Sequence, residues 1–253
     1  MAEFIIDGAT PLRGSVRLGG AKNASFKIMI ASLLCKGETR LLNFSHIRDV
    51  EVTRQIIEKL GAKIYRAGER TLFIHPVELQ THIVDTELGS MSRASSMFLA
   101  PLLARLGKAV VPFPGGDAIG TRGLDRHIKG LEAFGATIEI QNNTIVASVP
   151  NGLHGCEYSF EKVTHTGTET LLMAACLAKG TTTLHNTALE PEVDDLILFL
   201  TNMGAIIKRT EGRTIIIEGV ETLKPTIHKI IPDRNEAVSY ASAAIATKGD
   251  IIV

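Results

Sequence analysis

The 253-residue sequence contains no tryptophan, and aromatic residues make up only 5% of it. This scarcity counts against surfaces that stack nucleic-acid bases. Lysine and arginine number 27 together, as do aspartate and glutamate, so the formal net charge is zero. A neutral chain has no electrostatic footprint for nucleic acid or for an anionic membrane. We therefore expect a globular protein that binds neither of them.

Long apolar runs are also missing. Residues 171–178 form one of the longest, well short of the roughly 18 residues that a membrane span needs. The opening Met-Ala-Glu-Phe lacks the basic region and long apolar core of a secretory signal. The three cysteines are odd in number and show no metal-like pairing. These absences predict a cytoplasmic protein with reduced thiols, no metal site and no cofactor.

Four similar helix endings recur along the chain. In each, an apolar helical run ends at a glycine and a strand-like segment follows; the glycines are Gly37, Gly107, Gly180 and Gly249, spaced by 70, 73 and 69 residues. Glycine just after a helix is a common C-terminal signal. Because this repeat is too long for a solenoid, it predicts internal duplication within one globular fold.

Each complete copy also carries a second helix ending in Gly-Ala, followed by two strands. The unit is therefore helix–strand–helix–strand–strand, which places the chain in the α/β (α+β) class. First helices such as residues 28–35 are apolar nearly all round and should be buried on every side. Second helices such as residues 193–203 keep a polar face. We expect buried helices surrounded by sheets and outer helices, and a fourth copy that is cut short at Val253.

Three helix starts carry candidate ligand-binding residues. Lys22 and Asn23 follow a glycine turn at the start of the first buried helix, where unpaired amides and the helix dipole attract anions. Arg93 occupies the matching place in the second copy, and residues 162–167 occupy it in the third. Equivalent helix starts can converge on one cleft that binds phosphates or carboxylates. The alternative for each residue is a solvated surface charge or a helix cap.

The segment 113–127, Phe-Pro-Gly-Gly-Asp-Ala-Ile-Gly-Thr-Arg-Gly-Leu-Asp-Arg-His, lies between a predicted strand and a predicted helix. Its glycines let a backbone approach a ligand closely, and such loops often carry sites in α/β proteins. Asp117 beside the fixed charge of Arg122 suggests acid–base chemistry next to a bound anion. The alternative is that Asp117 accepts hydrogen bonds from neighbouring amides of its own loop.

Four segments resemble one family in their order and sequence: residues 19–24 (GGAKNA), 114–122 (PGGDAIGTR), 190–193 (EPEV) and 232–234 (PDR). The family is that of the UDP-N-acetylglucosamine 1-carboxyvinyltransferases, which are enolpyruvyl transferases. The resemblance implies an inside-out α/β barrel of repeated units in two domains. Residues 22–229 would form a complete three-repeat domain, and residues 1–21 plus 230–253 part of a second. Because typical members are far longer and place a catalytic aspartate and several arginines in the remainder, we expect the visible chain alone to be inactive.

The resemblance also implies an activity and its residues. The reaction transfers the enolpyruvyl group of phosphoenolpyruvate to the 3-hydroxyl of UDP-N-acetylglucosamine, the first committed step of peptidoglycan precursor synthesis. Asp117 would be the catalytic acid, with phosphoenolpyruvate bound by Lys22, Asn23 and Arg122. The residues implied for the nucleotide sugar are Arg93, Gly123, Leu124, Asp125, Arg126, Lys162, Val163 and Thr164.

Three positions depart from the family pattern. Asp117 replaces the usual loop cysteine, which predicts resistance to the epoxide inhibitor fosfomycin because a carboxylate is a weaker nucleophile than a thiolate. Gly123 replaces proline, which should loosen the loop. His165 and Thr166 replace a small apolar pair, so the nearby nucleotide contact is in question. Two other readings stay open: an enolpyruvyl transferase acting on shikimate 3-phosphate, and a non-catalytic paralogue that binds a nucleotide sugar or a protein partner.

Overall fold

The structure, a computed structural model, describes residues 3–5, 8, 10–115 and 123–253. The helices are α1 (Lys22–Ala31), α2 (Arg48–Lys59), α3 (Thr86–Met91), α4 (Leu99–Leu106), α5 (Asp125–Ala133), α6 (His165–Ala175), α7 (Pro191–Asn202) and α8 (Arg234–Thr247), with short 3₁₀ helices at Ser32–Leu34 and Arg93–Phe98. The strands are β1 (Arg13–Ser15), β2 (Thr39–Leu42), β3 (Lys63–Arg66), β4 (Thr71–His75), β5 (Lys108–Pro112), β6 (Thr137–Gln141), β7 (Thr144–Ser148), β8 (Glu157–Ser159), β9 (Thr181–His185), β10 (Ile206–Arg209), β11 (Ile215–Glu218), β12 (Ile227–Lys229) and β13 (Asp250–Ile252).

The predicted repeat is visible in three sets of three antiparallel strands, one in each of three sheets. Each unit contributes a first strand and a hairpin whose second strand lies in the middle, giving the orders β2-β4-β3, β5-β7-β6 and β9-β11-β10. The second helix of each unit ends at a glycine with positive φ: Gly61 at 106°, Gly135 at 89° and Gly204 at 102°. Because only glycine adopts this backbone readily, these positions fix where each helix turns into its hairpin.

Short linking segments join the sheets. The residues after each unit pair in parallel with the first strand of another unit: Ile83 bridges Val110 of β5, β8 pairs with β9, and β12 pairs with β2. The last pairing returns the chain to the first sheet and closes the three units on one another. A separate parallel pair joins β1 to β13. The division into domains at residues 22–229 remains a prediction.

The first helices of the units lie in the middle of these sheets. All residues from Ala24 to Ala31 of α1 and from Gly167 to Ala175 of α6 are buried. The outer helices α2 and α7 each bury one apolar face; the charged residues of α2 lie outside it, whereas α7 exposes Asp194 and buries Glu192 and Asp195. This arrangement follows from the sequence, because an all-apolar helix must be covered on every side whereas an amphipathic helix needs one covered face.

Two features differ from the sequence expectation. Residue 27 is a fully buried lysine inside α1, so the first helix is not uniformly apolar. Helix α8 opens the fourth copy, yet it buries none of its residues, and Val238 and Ile245 are exposed. Apolar composition marks a helix for burial, but burial requires a covering element. Among the described residues, no helix is long and apolar enough to cross a membrane.

Candidate functional site

Four helix starts meet around one cleft of about 490 Å³. They are the first turns of α1, α2, the 3₁₀ helix Arg93–Phe98 and α6. The side chains that line it are those of Lys22, Asn23, Phe26, Arg48, Asp49, Val52, Met91, Ser92, Arg93, Ala94 and Thr166. Among the described lining residues, three cations face a single carboxylate, and helix N-termini add partial positive charge. The cleft is therefore suited to an anionic ligand.

Lys22 is held in place by Asp49. Its Nζ lies 2.7 Å from Oδ2 of Asp49, and Ser92 donates to Oδ1 of the same carboxylate over 3.0 Å. The lysine side chain is 46% exposed, so this ion pair is open to solvent. Exposed ion pairs contribute little stability and are readily exchanged. Lys22 can thus turn from Asp49 to the anionic group of a ligand.

The glycine turn before Lys22 packs against the start of α8. Asp233 accepts hydrogen bonds from the backbone amides of Asn235 and Glu236, capping α8, and a further one from the amide of Lys22 over 2.7 Å. At Gly20, a Cβ atom would lie 1.7 Å from the carbonyl oxygen of Asn43. The segments 19–24 and 232–234 are therefore one junction, and the junction fixes where α1 begins.

A second carboxylate–cation pair joins segment 190–193 to segment 232–234. Arg234 donates to both oxygens of Glu192, over 2.9 and 3.2 Å, and Glu192 is buried at the start of α7. Burial opposes ionisation of this carboxyl, but the hydrogen bonds from Arg234 hold the pKa of Glu192 below its ordinary value. The pair ties α7 to α8 beside the glycine turn.

The segment implied for the nucleotide lies next to Arg93. One guanidinium nitrogen of Arg93 donates to the carbonyl of Gly123 over 3.2 Å. Leu124 is buried, Asp125 begins α5 and is exposed, and Arg126 is partly buried in the first turn of the same helix. Asp117 and Arg122, the predicted acid and the predicted second clamp on phosphoenolpyruvate, lie outside the described residues.

The third predicted segment reaches the cleft through a different residue. Thr164 caps α6 by accepting from the amide of Gly167, while Lys162 and Val163 are exposed before that helix. In the described lining, this copy contributes Thr166. The structure thus brings Lys22, Asn23 and Arg93 together, and Lys162, Val163 and Thr164 are not among the described residues that line the cleft. The roles of all these residues remain predictions.

Sequence reasoning missed Arg48 and Asp49, although both begin an amphipathic helix whose start could have been compared with the other helix starts. It also missed a buried cluster behind the cleft. Nζ of Lys27 lies 2.8 and 2.6 Å from the two carboxylate oxygens of Glu169 and 3.1 Å from Nε2 of His165. Burial lowers the pKa of Lys27, and the charge of Glu169 opposes that effect.

A larger open hollow, of about 590 Å³, is lined by residues including Arg17, Asn43, Arg70 and Lys229. It contains none of the helix starts that repeat between the units. The guanidinium of Arg70 already donates there to the carbonyl of Leu18 and to Asn43. We therefore place the site at the cleft of the four helix starts.

Comparison with known proteins identifies the family. The sequence profile of EPSP synthase (3-phosphoshikimate 1-carboxyvinyltransferase) matches residues 6–253. The chain is 43% identical to the UDP-N-acetylglucosamine 1-carboxyvinyltransferase of Cellvibrio japonicus over 251 residues, covering 99% of this chain and 60% of that protein. It is also 43% identical to the enzyme of that name from Coxiella burnetii, over 99% of this chain and 58% of the other. The chain therefore spans about three fifths of the length of these relatives, which confirm the resemblance seen in the motifs.

Solved structures confirm the fold. The enolpyruvyl transferase NikO from Streptomyces tendae superposes with a TM-score of 0.81 at 22% identity, covering 92% of this chain and 55% of that one. An EPSP synthase from Acinetobacter baumannii gives a TM-score of 0.73 at 22% identity, covering 92% of this chain and 53% of its own. The inside-out arrangement of buried helices and surrounding sheets is thus a known one, and the chain belongs to the EPSP synthase family.

Proposed function

We propose that the protein transfers the enolpyruvyl group of phosphoenolpyruvate to the 3-hydroxyl of UDP-N-acetylglucosamine and releases phosphate. The observation that carries this proposal is the convergence of Lys22, Asn23 and Arg93 from separate helix starts on one cleft. Both substrates are phosphorylated, and a cleft whose described lining carries three cations and one carboxylate favours such ligands. The names of the relatives at 43% identity support this acceptor.

In this mechanism the chain supplies binding, charge and a proton. Lys22 and Asn23 hold phosphoenolpyruvate, helped by Arg122, and Arg93 binds an anionic group of the substrates. The acceptor hydroxyl gives its proton to the catalytic aspartate that the family resemblance places in the remainder of the full-length protein. Its oxygen bonds to the central carbon of phosphoenolpyruvate while the methylene carbon takes a proton from Asp117 and becomes a methyl group. The bond from the central carbon to phosphate then breaks, and the methyl carbon returns a proton to the Asp117 carboxylate, which restores the double bond. The fixed cations stabilise the charge that develops between these steps.

The nucleotide contacts belong to two segments. Gly123, Leu124, Asp125 and Arg126 form one, beside Arg93, and Lys162, Val163 and Thr164 form the other, before α6. Phosphoenolpyruvate and the nucleotide sugar are the only partners that the proposal needs. It places the protein in the cytoplasm, where its product feeds peptidoglycan synthesis and hence cell-wall growth, cell shape and division.

A test of the proposal is phosphate release from phosphoenolpyruvate by the full-length protein, with either acceptor. Release with UDP-N-acetylglucosamine alone is the expected result. Release with shikimate 3-phosphate alone would mean that this compound is the acceptor instead. The name of the matching family profile supports that alternative. Nucleotide binding without release in either reaction would favour a non-catalytic paralogue.

Asp117 is tested by substitution and by fosfomycin. The variant Asp117→Asn cannot donate a proton, so we expect it to lose turnover while it keeps its affinity for the nucleotide sugar. Unchanged turnover would remove Asp117 from the acid role. The unmodified protein should resist time-dependent inactivation by fosfomycin, and a covalent adduct on Asp117 in a mass spectrum would contradict that expectation.

A further inference from the structure

Thr166 joins the cleft to a buried histidine. It lies in the first turn of α6 and lines the cleft together with Lys22, Asn23 and Arg93. Behind it, Nε2 of His127 on α5 lies 3.0 Å from Oγ1 of Thr166. His127 is only 2% exposed. Thr166 therefore lines the ligand space and is also hydrogen-bonded to a buried imidazole.

The imidazole is neutral and its hydrogen bond has a direction. Burial, with the nearby charges of Arg93 and Arg126, lowers the pKa of His127 to about 4, against the opposing charge of Asp125. A neutral imidazole carries one N–H. Within the described structure, Nδ1 of His127 is buried and has no hydrogen-bond partner. Because buried N–H groups are rarely left unpaired, the proton belongs on Nε2, and His127 donates to Thr166.

The hydroxyl proton of Thr166 is then free to bond elsewhere. The neighbouring threonines of α6 use theirs inside the helix: Thr168 donates to the carbonyl of Thr164 over 2.7 Å, and Thr170 donates to that of Thr166 over 2.8 Å. The hydroxyl of Thr166 makes no such bond to the backbone carbonyl of Lys162, the residue four positions before it in the described structure. Its oxygen accepts from His127, so its single donor is available to a molecule in the cleft.

We propose that Thr166 is a substrate-binding residue whose hydroxyl donates to a phosphate oxygen of the substrate, and that His127 is the residue that positions it. The inference rests on the proposed function in one respect, that phosphorylated substrates occupy the cleft. An oxyanion is the matching acceptor because Lys22, Arg48 and Arg93 surround the same space.

Two sources can supply that phosphate oxygen, phosphoenolpyruvate and the diphosphate of the nucleotide sugar. Titration calorimetry on the full-length protein separates them, because each ligand is titrated alone. Thr166→Val keeps the shape of the side chain and removes the hydroxyl. We expect it to weaken the binding of one of the two ligands by about 10-fold to 100-fold, the range for a hydrogen bond to a charged group. Thr166→Ser keeps the hydroxyl and should bind within about threefold of the unmodified protein.

A double-mutant cycle tests the positioning role. His127→Leu should weaken the same ligand as Thr166→Val, and the effect of His127→Leu should disappear when Thr166 is already valine. A merely structural histidine would weaken binding by the same factor in both backgrounds. If His127→Leu does not fold, His127→Gln, which keeps a donor near the position of Nε2, replaces it and should bind almost as the unmodified protein does.

The outcomes keep this inference apart from the proposed function. If the unmodified protein binds both ligands and Thr166→Val binds them equally well, the role of Thr166 is wrong and the proposed function stands. If the unmodified protein binds neither ligand, both are overturned. Weaker binding by Thr166→Ser, which keeps the hydroxyl and removes only the methyl group, together with unchanged binding by Thr166→Val would show that the methyl packing matters and not the hydroxyl, which also overturns the inference.

Discussion

Two lysines of α1, five positions apart, are ion-paired in opposite surroundings. Lys22 lies in the cleft, 2.7 Å from Asp49, with 46% of its side chain exposed. Lys27 lies in the core, 2.6 Å from Glu169, with 2% exposed. The two pairs have nearly the same length. What differs is the solvent around them, and with it the consequence of breaking each pair.

The difference separates a residue available to a ligand from one committed to the fold. Water can replace Asp49 around Lys22, so that pair is exchangeable. Around Lys27, burial penalises the charge and lowers the pKa of the ammonium, so the group depends on Glu169 and His165 for its remaining stabilisation. Pair geometry alone therefore does not separate an exchangeable lysine from a structural one; the exposure of the side chain does.

The largest effect is expected from Lys27→Met. Removing one partner of a buried pair leaves the other charge unpaired, and such changes cost about 3–5 kcal/mol of folding free energy. Urea denaturation, with the midpoint and slope compared between variant and unmodified protein, measures this loss. A loss below about 1 kcal/mol would mean that the core pair behaves as an exposed one does, and the contrast between the two lysines would fail.

A smaller effect is expected at His127, which lies between core and cleft. Its pKa is lowered from 6.5 to about 4. Between these values the unfolded chain binds more protons than the folded one, so stability falls as the pH falls. At 1.36 kcal/mol per pKa unit, a shift of this size corresponds to a total loss of about 3 kcal/mol of folding free energy as the pH falls below both values.

Denaturation curves between pH 7 and pH 5 measure this dependence. His127→Gln, which cannot titrate, should lose less stability over that range than the unmodified protein. The interval lies above the ordinary titration range of most carboxyl groups, which limits their contribution. If the stability of the two proteins fell equally with pH, the buried imidazole would not be the cause of the pH dependence of stability.

The same contrast explains what could be predicted from the sequence. The glycine spacing gave the order of helices and strands in all three units, because helix ends leave local signals. Lys22 was found because it follows a glycine turn at a helix start. Lys27 was not, because its partner Glu169 is 142 residues away and a lysine in an apolar run has no local signature. Partnerships between distant helices become visible only when the chain is folded.

Local sequence signals pointed to some residues of the cleft and not to others. The repeat placed Lys22 and Arg93 at equivalent helix starts, and both line the cleft. Thr166 was noted as part of the matching segment 162–167 and as a departure from a family pattern, but no contact was predicted for it, since a threonine beside a histidine has no particular signature. Its partner His127 lies 39 residues away, on a different helix. The apolar composition of first helices was also too simple a guide, as the exposed α8 shows.

Replacing both members of the core pair sharpens the contrast further. In Lys27→Met/Glu169→Met, no buried charge is left unpaired, and well-packed apolar replacements of buried pairs are often neutral or stabilising. We expect this double variant to unfold within about 2 kcal/mol of the unmodified protein and to be more stable than Lys27→Met alone. If the double variant were the less stable one, the core pair would be contributing net stability beyond the cost of its desolvation. His165 would then be the next residue to replace.

The smallest stability effect and a clear binding effect should come together in Lys22→Met. An exposed ion pair contributes about 0–1 kcal/mol, so denaturation should barely distinguish this variant from the unmodified protein. Binding of phosphoenolpyruvate should weaken by about 10-fold to 100-fold, because a hydrogen bond to a charged ligand group is lost. Lys22→Arg keeps the charge and serves as the matched control, recovering part of that affinity if charge is what the ligand needs. If Lys22→Met bound phosphoenolpyruvate as tightly as the unmodified protein does, the assignment of Lys22 to the ligand would be wrong. A loss of stability as large as that of Lys27→Met would also contradict it, because only an exposed and exchangeable lysine can lose its partner without weakening the fold.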